Sequence, residues 1–182
     1  VVQWSTVRLI MVLAAQLDLK SRQVDYQQAF PQAPLEDDIY MRIPEGWAYD
    51  CKNKTLVQVC DVPAYRDTGY AIKLEKNLYG CKQASRNWYL HLKAGLERRG
   101  FAASTIDPCL FIRDNCLICL YTDDCCIFGH DDGIIDTLIK ELSDDGFLLT
   151  DEGDIEDFLG VHVDKKETDG QVEITMTQTG LI

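Results

Sequence analysis

The feature that most restricts what this chain can fold into is Tyr121-Thr122-Asp123-Asp124, set between the apolar runs Leu117-Ile118-Cys119-Leu120 and Cys125-Cys126-Ile127-Phe128. Two short apolar runs separated by a few polar residues read as buried strands joined by a tight turn. That pattern places two adjacent carboxylates at the tip of a dry hairpin, where like charges repel and raise each other's pKa. A divalent cation would remove the cost. The plainer reading is that Asp is a favoured turn residue and the pair is merely solvated. Spacing alone leaves both readings open.

The surrounding pattern is that of an α+β domain, a sheet with helices packed on one face. Ser5 to Gln16 is apolar nearly all round, follows Ser5 as a candidate N-cap, and predicts a buried helix. Leu17 to Asp25 alternates in part and predicts a strand, and Ile39 to Ile43 a second, closed by Pro44-Glu45-Gly46. Between Trp47 and Tyr70 the pattern breaks around Asn53, Pro63, Asp67 and Gly69, leaving a long connection with one strand at Leu56 to Val59. From Ser85 to Arg99, Trp88, Tyr89, Leu92 and Leu96 recur at helical spacing with Lys and Arg between them, and Gly100 stands where a C-terminal cap belongs. Cys109 to Arg113, Leu117 to Tyr121 and Cys125 to Gly129 form a meander with Asp114-Asn115 as its first turn. Asp131 to Gly146 is an amphipathic helix through Ile134, Ile135, Leu138, Ile139 and Leu142, and Phe158 to Val163 and Val172 to Met176 close the chain as strands.

Charge and cysteine content bound the function. Of 182 residues, 18 are Lys or Arg and 30 Asp or Glu, for a net charge of -12. Taken whole, this argues against a free-standing nucleic-acid binder, whose affinity comes largely from cations neutralising phosphates. The charge is uneven: residues 131 to 160 hold 11 acidic and 1 basic side chain, whereas residues 73 to 100 hold 7 basic and 2 acidic. The acidic stretch reads as solvated, and the basic helix face as either solvated or able to track a phosphate backbone through Lys93, Arg98 and Arg99.

Of the 8 cysteines, Cys109, Cys116, Cys119, Cys125 and Cys126 sit in apolar runs, as reduced buried thiols do. A zinc module from Cys116, Cys119, Cys125 and Cys126 is the competing reading, opposed by a spacing that sends Cys116 and Cys119 to opposite faces of a strand. No apolar run reaches the roughly 18 to 20 residues of a membrane span, so no membrane partner is expected. The opening Val-Val-Gln-Trp lacks a Met and a basic leader, so a secretory signal is not expected and the chain reads as part of something longer.

Five blocks, taken in order, carry a family resemblance: Gln23-Val24-Asp25-Tyr26-Gln27-Gln28-Ala29-Phe30; Leu35 through Gly46; Leu78-Tyr79-Gly80-Cys81-Lys82-Gln83-Ala84-Ser85-Arg86-Asn87-Trp88-Tyr89; Asp107-Pro108-Cys109-Leu110-Phe111; and Tyr121-Thr122-Asp123-Asp124. Together they resemble the reverse transcriptase of copia-type LTR retrotransposons, the RNA-directed DNA polymerase of a Pol polyprotein. The resemblance implies a right-handed polymerase palm with part of the fingers over residues 1–182, the upstream fingers and the thumb being absent. It implies that Asp25, Asp123 and Asp124 are the catalytic carboxylates holding two Mg²⁺ ions, with Mn²⁺ as a substitute. It implies that Phe30 is the aromatic gate against a ribose 2′-hydroxyl, that Tyr79, Gly80, Lys82, Gln83 and Arg86 line the nucleotide and template side, and that Phe158, Leu159 and Gly160 position the primer end.

The implied partners are an RNA or DNA template with its primer, dNTPs, and the remainder of the polyprotein, including RNase H and integrase. The implied location is a cytoplasmic, element-encoded particle. The chain departs from the family pattern at Thr122, where Val is common, at Ser85, where Pro is common, and at Thr150, where a basic residue is common. The Thr150 departure, with the missing fingers and thumb, motivates an alternative: a folded but inactive retroelement remnant.

Overall fold

The computed structural model of the protein describes residues 1–50, 52–58, 70–168 and 171–178. Val59, Pro63, Asp67 and Gly69, invoked above for the long connection, lie outside the described residues. The elements in chain order are α1 (Trp4–Gln16), β1 (Lys20–Tyr26), α2 (Ala29–Gln32), β2 (Tyr40–Arg42), β3 (Trp47–Asp50), β4 (Thr55–Gln58), β5 (Ala71–Lys73), α3 (Ala84–Glu97) and β6 (Ala102–Ala103). They continue with β7 (Leu110–Arg113), β8 (Cys116–Tyr121), β9 (Asp124–Gly129), α4 (Asp132–Asp144), β10 (Leu149–Gly153), β11 (Asp157–Phe158), β12 (Val161–Thr168) and β13 (Gln171–Thr177).

The period-2 alternation of the apolar runs is realised in a 6-stranded antiparallel sheet of order β10-β1-β9-β8-β7-β6. Register puts Val24, Cys125 and Leu120 side by side, with Ile127, Ile118 and Phe111 in the next row of the same face. Helices α3 and α4 cover this face. Tyr26 meets Trp88 and Phe147 edge-on at ring distances of 5.2 and 6.2 Å, and Phe111 meets Tyr89 at 6.3 Å. Such pairs add about 0.5–1.5 kcal/mol each beyond the area they bury.

The opposite face, carrying Leu110, Cys119, Cys126 and Phe128, is equally buried. The elements left to cover it are α1 and the β11-β12-β13 sheet, and α1 packs against β13. The expected mixed architecture with an antiparallel sheet is therefore present. Helices on one face describes only α3 and α4, because both faces of the central strands are dry.

Helices α3 and α4 end in the same way. Gly100 and Gly146 adopt left-handed φ values of +79° and +93°. Gly100 N–H bonds to the Glu97 carbonyl and Phe101 N–H to that of Leu96, and the same pair of bonds joins Gly146 to Ser143 and Phe147 to Leu142. This Schellman geometry costs a side-chain-bearing residue its Cβ clash but costs Gly nothing, and it turns a Phe back into the core. Gly95 inside α3 has a different reason: a Cβ there would stand 2.7 Å from the Phe147 ring.

Three sequence expectations change. Helix α1 buries only Thr6, Val7, Ile10, Met11 and Ala14, while Leu9 and Val12 are more than half exposed, because the helix lies at the surface of the core and not within it. Ser5 does not cap it; Gln3 is the N-cap, without a side-chain bond. The run from Phe158 to Val163 breaks into β11 and β12 at Leu159 and Gly160, both at positive φ (54° and 75°), which makes a tight hairpin instead of one strand. Strands β3, β5, β6 and β10 carry too little apolar alternation to be read from sequence.

The missing cap of α1 is supplied from a distance. Asp107, buried before β7, accepts hydrogen bonds from Gln3 N–H (2.8 Å), the Thr6 hydroxyl (2.7 Å) and Cys109 N–H (3.1 Å). Burial pushes this carboxyl upward, but the three donors outweigh it and hold it below the ordinary carboxylate range. A negative group at a helix N-terminus is favourable in its own right. Replacing Asp107 with Ala should cost about 1–3 kcal/mol in urea unfolding at neutral pH. Because the folded pKa is lowered, that stabilisation is present at neutral pH and disappears as pH falls through it, so the two proteins should converge in acid.

Candidate active site

The alternation of β1 sends Tyr26 into the α3–α4 layer and Asp25 to the other face. Asp25 stands directly opposite Asp124, the first residue of β9, and Asp124 is paired on its other side with Tyr121 of β8. Directly opposed side chains are separated by roughly 4.5–5.5 Å at Cβ, a spacing at which like charges destabilise a sheet. Asp123 lies in the turn, and its carbonyl accepts from Tyr26 N–H at 2.9 Å. The structure thus brings the three sequence-singled carboxylates to one end of adjacent strands.

The cost of gathering them is visible in their electrostatics. Burial, then the charges of Asp25, Glu152 and Asp123, push the Asp124 carboxyl above its ordinary range. Asp123 Oδ1 is buried with no hydrogen-bond partner, while Oδ2 accepts from the Tyr79 hydroxyl at 2.8 Å. Among the described residues no three His, Cys, Asp or Glu side chains stand together as a ready metal-holding group. The donor set nevertheless fits a hard divalent cation. All three groups are carboxylates, one of their oxygens is orphaned, and burial together with the neighbouring acids raises the Asp124 carboxyl.

The turn itself is held under strain. Thr122 has φ +53°, a left-handed conformation that is uncommon for a β-branched residue. Its carbonyl accepts from the Trp88 indole N–H at 2.7 Å, so a fully buried ring of α3 fixes the backbone between the strands. The sequence shows Thr at this position but not the conformation it must adopt.

The other residues named from sequence are distributed around this end. Phe30, on α2, packs its ring 4.5 Å from that of Tyr79. Gly80 follows Tyr79 at φ +93°, Lys82 and Arg86 are exposed and pair with no carboxylate among the described residues, and the Gln83 amide nitrogen is buried without a partner. Phe158 is buried beside the Leu159-Gly160 turn. Thr150 lies opposite Asp25 on β10, and its hydroxyl accepts from Gln27 Nε2 at 2.7 Å. Glu152, on the same strand, bonds to Gln23 and adds charge near Asp124. Sequence reading missed Glu152 because β10 is a polar edge strand with no periodic signal.

Of the two readings of Lys93, Arg98 and Arg99, as a solvated face or as a track for phosphate, the structure gives neither outright, because all three stand in ion pairs. Lys93 pairs with Glu97 at 3.6 Å, Arg98 with Asp145 at 2.6 Å, and Arg99 with Asp145 and Glu141 at 3.1 and 3.7 Å. The acidic stretch from 131 to 160 is correspondingly not wholly solvated, since Asp132, Asp136 and Asp151 also converge on Arg22. The cysteines divide as the spacing requires, Cys116 and Cys125 on one sheet face, Cys119 and Cys126 on the other. Burial pushes the Cys116 and Cys119 thiols up to about 11 and about 12, and with the four thiols split between two sheet faces they do not stand together as a metal-holding group among the described residues.

An antiparallel α+β domain with a carboxylate trio at the ends of its central strands is the kind of site the sequence resemblance requires. The chain matches the profile of the family described as reverse transcriptase (RNA-dependent DNA polymerase) over residues 1–179, and it belongs to that family. It is 34% identical over 173 residues to the retrovirus-related Pol polyprotein from transposon TNT 1-94 of Nicotiana tabacum, covering 92% of this chain and 12% of that protein. It is 31% identical over 172 residues to the Pol polyprotein from transposon RE1 of Arabidopsis thaliana, covering 92% and 11%. To the transposon Ty1-DR1 Gag-Pol polyprotein of Saccharomyces cerevisiae it is 29% identical over 148 residues, covering 78% and 7%. The chain therefore spans about a tenth of the length of these curated relatives and corresponds to the reverse transcriptase region of a copia-type Pol polyprotein. No solved structure gives a significant match. No helix among the described residues is long and apolar enough to cross a membrane.

The Trp88–Thr122 bond is testable. Trp88→Phe keeps an aromatic ring in the Tyr26–Phe147 cluster but removes the donor, and should cost about 1 kcal/mol in denaturant unfolding. It should also shift the amide resonances of Thr122, Asp123 and Asp124; unmoved resonances would show that the indole does not hold the turn.

Proposed function

We propose that this chain is the palm, with part of the fingers, of an RNA-directed DNA polymerase that extends a primer on an RNA or DNA template from dNTPs by two-metal nucleotidyl transfer. The observation that carries the reading is the direct cross-strand pairing of Asp25 with Asp124 beside Asp123. The six-stranded sheet is the palm, and the small sheets formed by β2 with β5 and β3 with β4 belong to the fingers.

In this reading Asp25, Asp123 and Asp124 hold the ions. Mg²⁺ bound there would lower the pKa of a primer 3′-hydroxyl and neutralise the charge of a departing pyrophosphate. The rest falls to the chain. Strands β1 and β9 keep the carboxylates at fixed spacing, Trp88 fixes the turn that carries Asp123, and Phe30 stands at the entrance where a 2′-hydroxyl would lie. Exposed Lys82 and Arg86 are placed to meet phosphate or template, and the Phe158-Leu159-Gly160 turn to steady the primer end. The working enzyme includes the remaining Pol regions, and its partners are template, primer, dNTPs and those regions.

Asp25→Asn or Asp123→Asn, made in a Pol polypeptide containing this chain, should lower primer extension by at least about a hundredfold, because charge stabilisation by bound metal is worth several kcal/mol. Far-UV circular dichroism should be unchanged. Full extension by either variant would refute the site. Phe30→Val should raise incorporation of ribonucleotides relative to deoxynucleotides by about tenfold or more; unaltered selectivity in single-nucleotide extension would remove Phe30 from the gate.

A further inference from the structure

The contact between Tyr79 and Asp123 is not required by anything derived so far. A metal ligand needs at least one unoccupied oxygen facing the ion. Asp123 has one carboxylate oxygen committed to the Tyr79 hydroxyl at 2.8 Å and the other buried without a partner. A hydroxyl bonded to a carboxylate is charge-assisted and stronger than a neutral bond. Tyr79 itself is more than half exposed, so its ring is not held there by burial in the core. Its one aromatic neighbour among the described residues is Phe30, 4.5 Å away with the rings inclined at 38°. A phenol keeps its proton at neutral pH, so the Tyr79 hydroxyl is the donor in this contact.

We propose that Tyr79 is a displaceable cap on Asp123: its hydroxyl satisfies one carboxylate oxygen when no cation is bound, and a divalent cation that draws on both oxygens of Asp123 must displace it. Because the Tyr79 ring leans on Phe30, release of the cap also frees the residue placed at the nucleotide entrance. Cation binding and the opening of the nucleotide side are thereby coupled through one aromatic pair. The inference rests on the carboxylate trio being the metal site, and it concerns a positioning residue, since Tyr79 acts through Asp123 and Phe30.

The test is Mn²⁺ binding, read from the free-ion signal by electron paramagnetic resonance, on the intact chain and on three variants. Tyr79→Phe keeps the ring against Phe30 and removes only the competing hydroxyl. It should bind Mn²⁺ roughly tenfold more tightly, on the scale of one hydrogen bond to a charged group. Tyr79→Leu, which also lacks the hydroxyl, should do the same and guards against a ring-specific artefact. Asp123→Asn should lose the binding. Equal or weaker binding by both Tyr79 variants, with Asp123→Asn still defective, would overturn the cap while leaving the metal reading in place. Binding unaffected by Asp123→Asn would overturn the metal reading and the cap with it. Circular dichroism and thermal unfolding establish that each variant is folded.

Discussion

The carboxylate end of this protein is shaped by electrostatic repulsion among acids that the sheet holds together. Asp25 and Asp124 are opposite each other because Val24 and Cys125, one step away in register, are buried on the other face. A one-residue slip would exchange the two faces, so the hydrophobic face fixes the position of the acids. The sheet can impose this cost because both of its faces are dry and its central strands are well packed. The strain shows at the edges of the site: a left-handed Thr122, an orphaned Asp123 oxygen and a raised Asp124 pKa. Strain and unpaired polar atoms of this kind collect at functional sites, where a ligand is able to relieve them.

The same reasoning reorganises the charge. Five of the eleven acids between residues 131 and 160 stand in surface ion pairs with Arg22, Arg98 and Arg99. Exposed pairs of this sort contribute little stability each. Their larger consequence is subtraction: they take up the basic end of α3, whereas Lys82 and Arg86 pair with no carboxylate among the described residues.

Much of this was legible without coordinates. The meander from β7 to β9, helices α3 and α4, and the glycines that end them announced themselves through periodicity and punctuation, which are local. The three carboxylates were legible through their sequence contexts. What escaped were elements whose reason is tertiary. Strand β10 is polar because it is an edge strand, so nothing in Leu149 to Gly153 alternates, and with it went Thr150 opposite Asp25 and Glu152 near Asp124. Helix α1 looked apolar all round, yet only one side of it meets the core. Asp107 carries no local signal of its partner, yet it is the distant cap of that helix.

The sequence by itself determined which residues are strands and helices in the core and which acids stand at their ends, because hydrophobic period and turn chemistry are properties of neighbouring residues. Only the tertiary structure decided how those acids are partnered. Tyr79 reaches Asp123 across 44 positions of chain, Trp88 reaches Thr122 across 34, and Asp107 reaches Thr6 across 101. Hydrogen bonds are made between atoms about 3 Å apart whatever their separation along the chain, so no local pattern can encode them.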